Sequence, residues 1–337
     1  MDQVVLGSGG PLVSRMGLGL MSMSGIYGPA QDEESIRTIH AALDGGVTLL
    51  DTGDFYGQGH NELLLRDALA AKDRSKVFIG VKFGIQRDPS GKMVGRDMSP
   101  NAVKSSLAHT LTRLGTDYVD LYQPARLDPG VPIEDTVGAI AEMIQAGYVR
   151  YLGLSEMGAA TIRRAHAVYP VTALQIEYSL MSRGIEKHIL PCVRELGIAV
   201  TAYGVVSRGL LSSELLGAVG PGGLPSSDPR ARFPRFQPDN LARNLDLVAA
   251  LNAIAAEHGV SPSQLAFAWV LSRGEDIIPL IGTKRRDRLV EALDAVRIDL
   301  SGRELDVISD AVPPGRVAGE RYDPASMRAL DSENPPA

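Results

Sequence analysis

Asp51, Tyr56 and Lys82 stand where two successive apolar runs end. The first run, "VTLLD" (47–51), closes on a carboxylate and leads through "TGDFYGQG" to a phenol; the second, "VFIGVK" (77–82), closes on an ammonium. If both runs are neighbouring parallel strands, these groups meet at the carboxyl edge of the sheet, where α/β proteins carry their chemistry. A lysine cation beside a phenol favours the phenolate, which lowers a tyrosine from its ordinary pKa of about 10 toward neutrality. Asp51 would hold Lys82 charged and fix its direction. Such a trio can give a proton to a substrate oxygen or take one from it. The same residues also allow a plainer arrangement, a structural Asp51–Lys82 ion pair with Tyr56 as an ordinary loop aromatic.

The elements that would position these groups repeat along the chain. Apolar runs at 16–20, 47–51, 77–82, 118–123, 149–155, 173–178, 198–203 and 277–282 are predicted strands. Helix-period segments at 33–44, 61–71, 100–114, 133–146, 159–168, 185–196 and 284–295 lie between them. Eight βα units imply a parallel sheet with right-handed crossovers, and this number predicts a closed (β/α)8 TIM barrel. An open doubly wound sheet is the alternative, but no strand is followed by the G-x-G-x-x-G that would mark a dinucleotide-binding one. "VVLGSGGPLVSR" reads as an N-terminal β-hairpin able to plug the amino end of the barrel. Long loops are expected at 83–97 and 204–240, both on the carboxyl side of their strands. Residues 1–311 are read as one domain, and 312–337 as a tail rich in proline and charge that is either disordered or closes over the pocket.

Composition narrows the class. In 337 residues, 44% are hydrophobic, enough for a sizeable core, and the formal charge of −6 argues against a nucleic-acid or anionic-membrane surface. Cys192 is the single cysteine, which excludes an internal disulfide and fits a reducing compartment. The start has no basic segment followed by an apolar one, and no stretch is long and apolar enough to span a bilayer, so the expected location is cytoplasmic. His40, His109, His166, His188 and His258 lack ligand spacing, and no metal is expected. Trp269, in "LAFAWVL", reads as core. "GTKRRDRLVE" follows the last strand and opens a helix, where backbone amides and the helix dipole favour a phosphate. Lys284, Arg285 and Arg288 add positive charge there and Thr283 a hydroxyl, a set that an adenosine 2′-phosphate would explain.

"DTGDFYGQGHNELLLRDAL" resembles the signature of the aldo-keto reductases. "LYQ" (121–123), "GLS" (153–155), "QIEYSL" (175–180), "YGVVSRGLL" (203–211) and "IGTKRRDRLVEAL" (281–293) resemble further blocks of that family in the same order. The resemblance implies a (β/α)8 barrel using NADPH, with Tyr56 as general acid in carbonyl reduction and Asp51 and Lys82 tuning it. It implies that Tyr203 stacks on the nicotinamide, that Ser155 and Gln175 bond its carboxamide and that Met21 lies near it. Arg208 and Gly209 would cover the pyrophosphate. Gly282, Thr283, Lys284 and Arg288 would hold the 2′-phosphate, with Glu291 near the adenine. Glu156 and Ala292 stand where the family often has asparagine.

One block departs further. Where the family usually has a histidine that donates to the substrate carbonyl, the chain reads "LYQPARLD" and places Ala125. Arg126 could swing in, His60 could supply an imidazole, or an ordered water could fill the gap; Arg126 could equally pair with Asp128 at the surface. Ala125 also widens the expected substrate pocket. The reading is an NADPH-dependent oxidoreductase acting on an aldehyde or ketone. Its alternatives are an NADP-dependent alcohol or pyridoxine-type dehydrogenase running the reverse reaction, and a slow cofactor-binding regulatory subunit.

Overall fold

Strand alternation decides which side chains can meet. In the computed structural model, which describes residues 1–220 and 223–334 with the side chains of 216–218 excepted, a short antiparallel hairpin pairs β1 (Gln3–Val5) with β2 (Leu12–Ser14). Next come β3 (Gly17–Gly19), β4 (Leu49–Gly53) and β5 (Phe78–Phe83), then a second hairpin of β6 (Ile85–Arg87) and β7 (Met93–Arg96). The remaining strands are β8 (Val119–Pro124), β9 (Val149–Ser155), β10 (Val171–Glu177), β11 (Ala199–Tyr203) and β12 (Ile277–Gly282). Strands β3, β4, β5, β8, β9, β10, β11 and β12 follow one another around a closed, wholly parallel barrel, β12 pairing back onto β3. The protein is therefore a (β/α)8 TIM barrel with an N-terminal hairpin.

The helices that return the chain are α1 (Asp32–Asp44), α2 (His60–Leu69), α3 (Pro100–Leu114), α4 (Ile133–Gln145), α5 (Ala159–Val168) and α6 (Ile185–Glu195). Later come α7 (Ser213–Ala218), α8 (Pro238–Glu257), α9 (Pro262–Leu271), α10 (Arg286–Asp294), α11 (Gly302–Ala311) and α12 (Pro324–Arg328). Two of the expected loops are structured. Segment 83–97 carries the β6–β7 hairpin, and 204–240 contains α7 and gives way to α8 at Pro238. Proline starts that helix because the first helical position has no amide bond to lose and already wants its fixed φ. Trp269 is fully buried in α9. No helix among the described residues is long and apolar enough to cross a membrane.

Inside the barrel, side chains stack in layers that change character from bottom to top. Leu49, Phe78, Leu121, Ala173, Ala199 and Ile278 form an apolar floor with Leu6 and Val13 of the hairpin region. Burying Leu6 and Val13 completely stabilises the plug by roughly 1.5–3 kcal/mol each. A Cβ at Gly7, whose φ is +74°, would come within 2.3 Å of the Thr172 carbonyl oxygen, so only glycine lets the hairpin seat. Two residues farther along four of these strands the inward positions turn polar: Asp51 on β4, Gln123 on β8, Gln175 on β10 and Thr201 on β11. Lys82, Ser155, Glu177 and Tyr203 continue the same rows to the mouth. The outer face of the strands packs against the helices in the larger core, which includes Leu50, Ile79, Val81, Leu152 and Ile176.

One polar group staples the outer face. Asp120, buried on β8, accepts from the Ile79 amide at 2.9 Å and from Arg74 Nη2 at 2.7 Å, with Arg150 Nη1 at 3.4 Å. Asp120→Ala strands the Ile79 amide without its acceptor. It should lower stability by about 1–3 kcal/mol, measured by urea denaturation, and Asp120→Asn should lose less.

Candidate active site

Asp51 is the inward carboxylate in the middle of β4, which runs on through Thr52 and Gly53, and it is met from three strands. Lys82 Nζ donates to Oδ1 at 2.5 Å, while Gln175 Nε2 and Gln123 Nε2 donate to Oδ2 at 2.7 and 3.4 Å. All four residues are buried. Tyr56 sits above, with Lys82 Nζ 5.3 Å from its ring centroid. It is delivered by a tight turn in which Gly57, Gln58 and Gly59 all have positive φ, 56°, 54° and 96°. Three such residues reverse the chain into α2 within one turn, and a Cβ at Gly57 would lie 3.0 Å from Ser24 and His60 atoms. Asn61 locks the turn: it accepts from Thr52 Oγ1 at 2.7 Å and donates to the Leu20 carbonyl at 2.9 Å and Ser24 Oγ at 2.7 Å. Asp51, Tyr56 and Lys82, separated in sequence, are thus brought together.

The electrostatics differ from the expectation in one respect. Burial pushes the Tyr56 phenol well above its ordinary value, and Asp51 acts in the same direction. Lys82 does not bring it down toward neutrality, because its charge is already engaged by Asp51. The cation that leads the opposition to burial is Arg126. Lys82 itself is pushed down by burial and held up by Asp51. Asp54, on the loop before Tyr56, is pushed up to about 7 by burial and by Glu62, against Arg113, and its Oδ1 is buried without a partner among the described residues.

Ala125 lies buried at the end of β8, its amide donating to the Phe83 carbonyl at 3.0 Å. Arg126 makes no ion pair with Asp128. The Asp128 oxygens accept instead from the backbone amides of Gly130 at 2.9 Å and Met98 at 3.2 Å. His60 faces away from the phenol, with Nδ1 3.0 Å from Ser24 Oγ and Nε2 3.1 Å from Asp32.

Around the rim lies a second charged tier that sequence reasoning missed almost entirely. Glu156 and Glu177 are both buried, and the tail crosses the mouth to meet them. Arg321 donates to Glu156 Oε2 at 2.9 Å, Glu156 Oε1 at 3.1 Å and Glu177 Oε2 at 3.3 Å. Ser332 Oγ donates to Glu156 at 2.7 Å, and the Gly158 amide to Asp331 at 2.6 Å. Burial opposes ionisation of Glu156, and Arg321 overcomes it, holding the carboxyl down to about 2. Tyr203 donates its hydroxyl to Glu156 at 2.8 Å and lies 3.1 Å from the Tyr322 hydroxyl. Arg208 is 3.5 Å from Glu177, and its guanidinium lies 4.5 and 4.7 Å from the ring centroids of Phe233 and Tyr322. Arg235 donates to Ser182 at 2.9 Å and to Glu177 at 3.4 Å. "FPRFQ" and "GERYDP" read as solvated loop and tail, and their arginines gave no local sign of being buried partners.

The basic cluster after β12 is less bare than its composition suggests. Lys284 Nζ donates to the Gly28 and Pro29 carbonyls at 3.0 and 2.5 Å. Arg285 pairs with Asp287 and Glu214, Arg286 with Glu34, and Arg288 with Glu214 and Glu291. Thr283 Oγ1 accepts from the Arg285 amide at 3.1 Å, and Gly282 beside it is exposed. Deeper in, Ser155 Oγ, Gln123 Oε1 and Thr201 Oγ1 are buried without a partner among the described residues. Met21 lies in a 3-10 turn, Met21–Ser24, just after β3. Gly209 follows Arg208 in the turn after β11.

The model of the aldo/keto reductase family matches residues 15–312. The chain belongs to the aldo/keto reductase family. It is 42% identical to a probable aldo-keto reductase 1 of Glycine max over 322 residues, 95% of this chain and 91% of that one. Among solved structures, a glycerol dehydrogenase from Gluconobacter oxydans matches with a TM-score of 0.82 at 28% identity, over 100% of this chain and 98% of that one. An aldo-keto reductase from Bacillus halodurans in its holo form matches with 0.77 at 26% identity, over 93% and 96%. The protein is accordingly an oxidoreductase of a family that generally uses nicotinamide cofactors on small carbonyl compounds. The residues present fit such a group: Ser155 Oγ, buried without a partner at the mouth, suits an amide, and cations cluster at the start of α10.

Two outcomes follow from this geometry. Arg321→Ala removes the cation shared by Glu156 and Glu177, so the tail should become readily cleaved by protease at residues 312–334 and the melting temperature should fall, whereas Arg328→Ala should do neither. Asp54 carries a folded pKa above its unfolded value, so the native state binds the extra proton between about pH 4 and 7, and stability conferred by that proton is lost as pH rises through 7. Asp54→Asn should therefore gain on the wild type in thermal scans as pH increases from 5 to about 8, with the difference levelling off above the folded pKa.

Proposed function

We propose that the protein is a cytoplasmic NADPH-dependent reductase of aldehydes or ketones in which Tyr56 is the general acid. The observation that carries this reading is the Lys82–Asp51 pair, 2.5 Å apart and buried directly beneath the Tyr56 ring. The bound nicotinamide supplies the hydride. Tyr56 gives its hydroxyl proton to the carbonyl oxygen as negative charge develops there. Because burial keeps the phenol protonated well past neutrality, the acid is ready at working pH. Lys82, paired with Asp51 beneath the ring, offsets the carboxylate charge that would otherwise oppose the phenolate left behind, and Gln175 and Gln123 brace that pair.

The chain's own groups would bind the cofactor in three places. Ser155 and Gln175 would bond the carboxamide, with Tyr203 and Met21 beside the ring. Arg208 and Gly209 would cover the pyrophosphate, for which Arg208 must loosen its hold on Glu177. Gly282, Thr283, Lys284 and Arg288 would take the 2′-phosphate, with Glu291 near the adenine. A second reading, oxidation of an alcohol with NADP+, is favoured by the likeness to a glycerol dehydrogenase. The raised phenol weighs against it, since oxidation needs Tyr56 to start deprotonated.

Tyr56→Phe should cut the rate of NADPH-dependent carbonyl reduction by about 10²–10⁴ while leaving NADPH affinity, read by quenching of Trp269 fluorescence, unchanged. A variant that reduces as fast as the wild type would overturn the assignment. A cofactor-binding regulatory subunit would show no carbonyl turnover in either form. Lys284→Ala with Arg288→Ala should weaken NADPH binding far more than NADH binding; equal effects would refute the preference for NADPH.

A further inference from the structure

Most of the charges around the polar interior of the barrel are matched in ion pairs among the described residues. Lys82 is matched by Asp51, Arg208 and Arg235 by Glu177, and Arg321 by Glu156, Glu177 and Glu333. Arg126 forms no ion pair among the described residues. Its one hydrogen bond runs from Nη1 to the carbonyl of the preceding residue, Ala125, at 2.6 Å. That bond turns the side chain back over the end of β8 and leaves Nη2 and Nε to donate elsewhere. The groups near enough to act on its charge include Tyr56 and Tyr203 of the reaction site and Glu156 and Tyr322 of the rim. It is also the leading cation acting on Tyr56. The other side chain that sequence reading offered as a second donor, His60, is excluded by position. Ala125 has no donor, and the His60 imidazole is spent on Ser24 and Asp32.

We propose that Arg126 is a catalytic residue that donates to the substrate carbonyl oxygen opposite Tyr56. The inference rests on the reductase reading and adds to it the means by which the site works with alanine at position 125. A guanidinium is always charged and its donors are fixed in a planar fork, so it polarises an oxygen without competing with Tyr56 to release a proton. Tyr56 alone transfers the proton; Arg126 stabilises the oxygen while charge accumulates and eases the departure of the phenolic proton. Preorganised donors of this kind contribute about 10²–10³ in rate. A histidine loses its donor capacity on one nitrogen as it deprotonates, whereas arginine does not, so this contribution is constant with pH.

The test uses the full chain, NADPH and an uncharged aromatic aldehyde, so that anchoring of a substrate carboxylate cannot contribute. Arg126→Ala should lower kcat about 100-fold with NADPH affinity unchanged, and added guanidinium ion should restore part of the rate. Ala125→His in the Arg126→Ala background should restore activity as well, now with a pH dependence near the histidine range that the wild type lacks. Arg126→Lys, with a single charged head in place of the fork, should fall between wild type and alanine and serves if the alanine variant folds poorly. Retention of kcat within about twofold in Arg126→Ala, while Tyr56→Phe is inactive, would overturn the role of Arg126 and leave the reductase reading standing. A loss confined to the KM of carboxylated substrates would also overturn it, making Arg126 an anion anchor. Full activity in Tyr56→Phe would instead remove the reductase reading itself, and this assignment with it.

Discussion

A carboxylate placed inside a closed barrel must find its compensation there. Asp51 is buried at the level where β4 holds it, and an uncompensated buried charge costs several kcal/mol. Its partners come from β5, β8 and β10, so the charge is satisfied only when those strands are in register around it. The pair therefore ties closure of the barrel to formation of the site. The apolar floor below it has the opposite logic: Leu49, Phe78 and Leu121 gain from any close packing, and the hairpin residues Leu6 and Val13 merely seal it. Directional demands begin only where the inward rows turn polar.

The rim carries a second tier whose balance is shared. Glu177 is met by three arginines, from the segment after β11, from the turn before α8 and from the tail. Each of these cations has other attachments, Arg208 to the rings of Phe233 and Tyr322 and Arg235 to Ser182. A network of this kind can exchange partners at modest cost, since a carboxylate that loses one cation keeps two. The lower tier has no such slack. Chemistry at Tyr56 thus sits between a rigid base and a rim able to rearrange.

Much of the fold was legible because it is written locally. Each barrel strand is a short apolar run, each return helix has its own periodicity, and Asp51 and Lys82 announce themselves by ending their runs on charge. The site trio could be read for the same reason. What escaped depends on contacts far along the chain or on small competitions nearby. Asp128, two residues from Arg126, invited an ion pair, yet its oxygens close a turn on Gly130 and reach Met98, a use of aspartate that no charge pattern reveals. The direction of the Tyr56 shift depends on burial by elements remote from it and on Lys82 being taken by Asp51. Arg321 reads as one more charge in a solvated tail until Glu156 and Glu177 are seen beneath it.

The bonds of Arg321 span 165 residues to Glu156 and 144 to Glu177. Arg321 lies beyond β12, so during synthesis these contacts can form only after every barrel strand has been made. The barrel can assemble before the tail has left the ribosome, with Glu156 at its mouth still without its cation. The nascent protein would thus pass through an almost complete barrel whose rim stays open and hydrated, and the docking of one arginine marks its maturation.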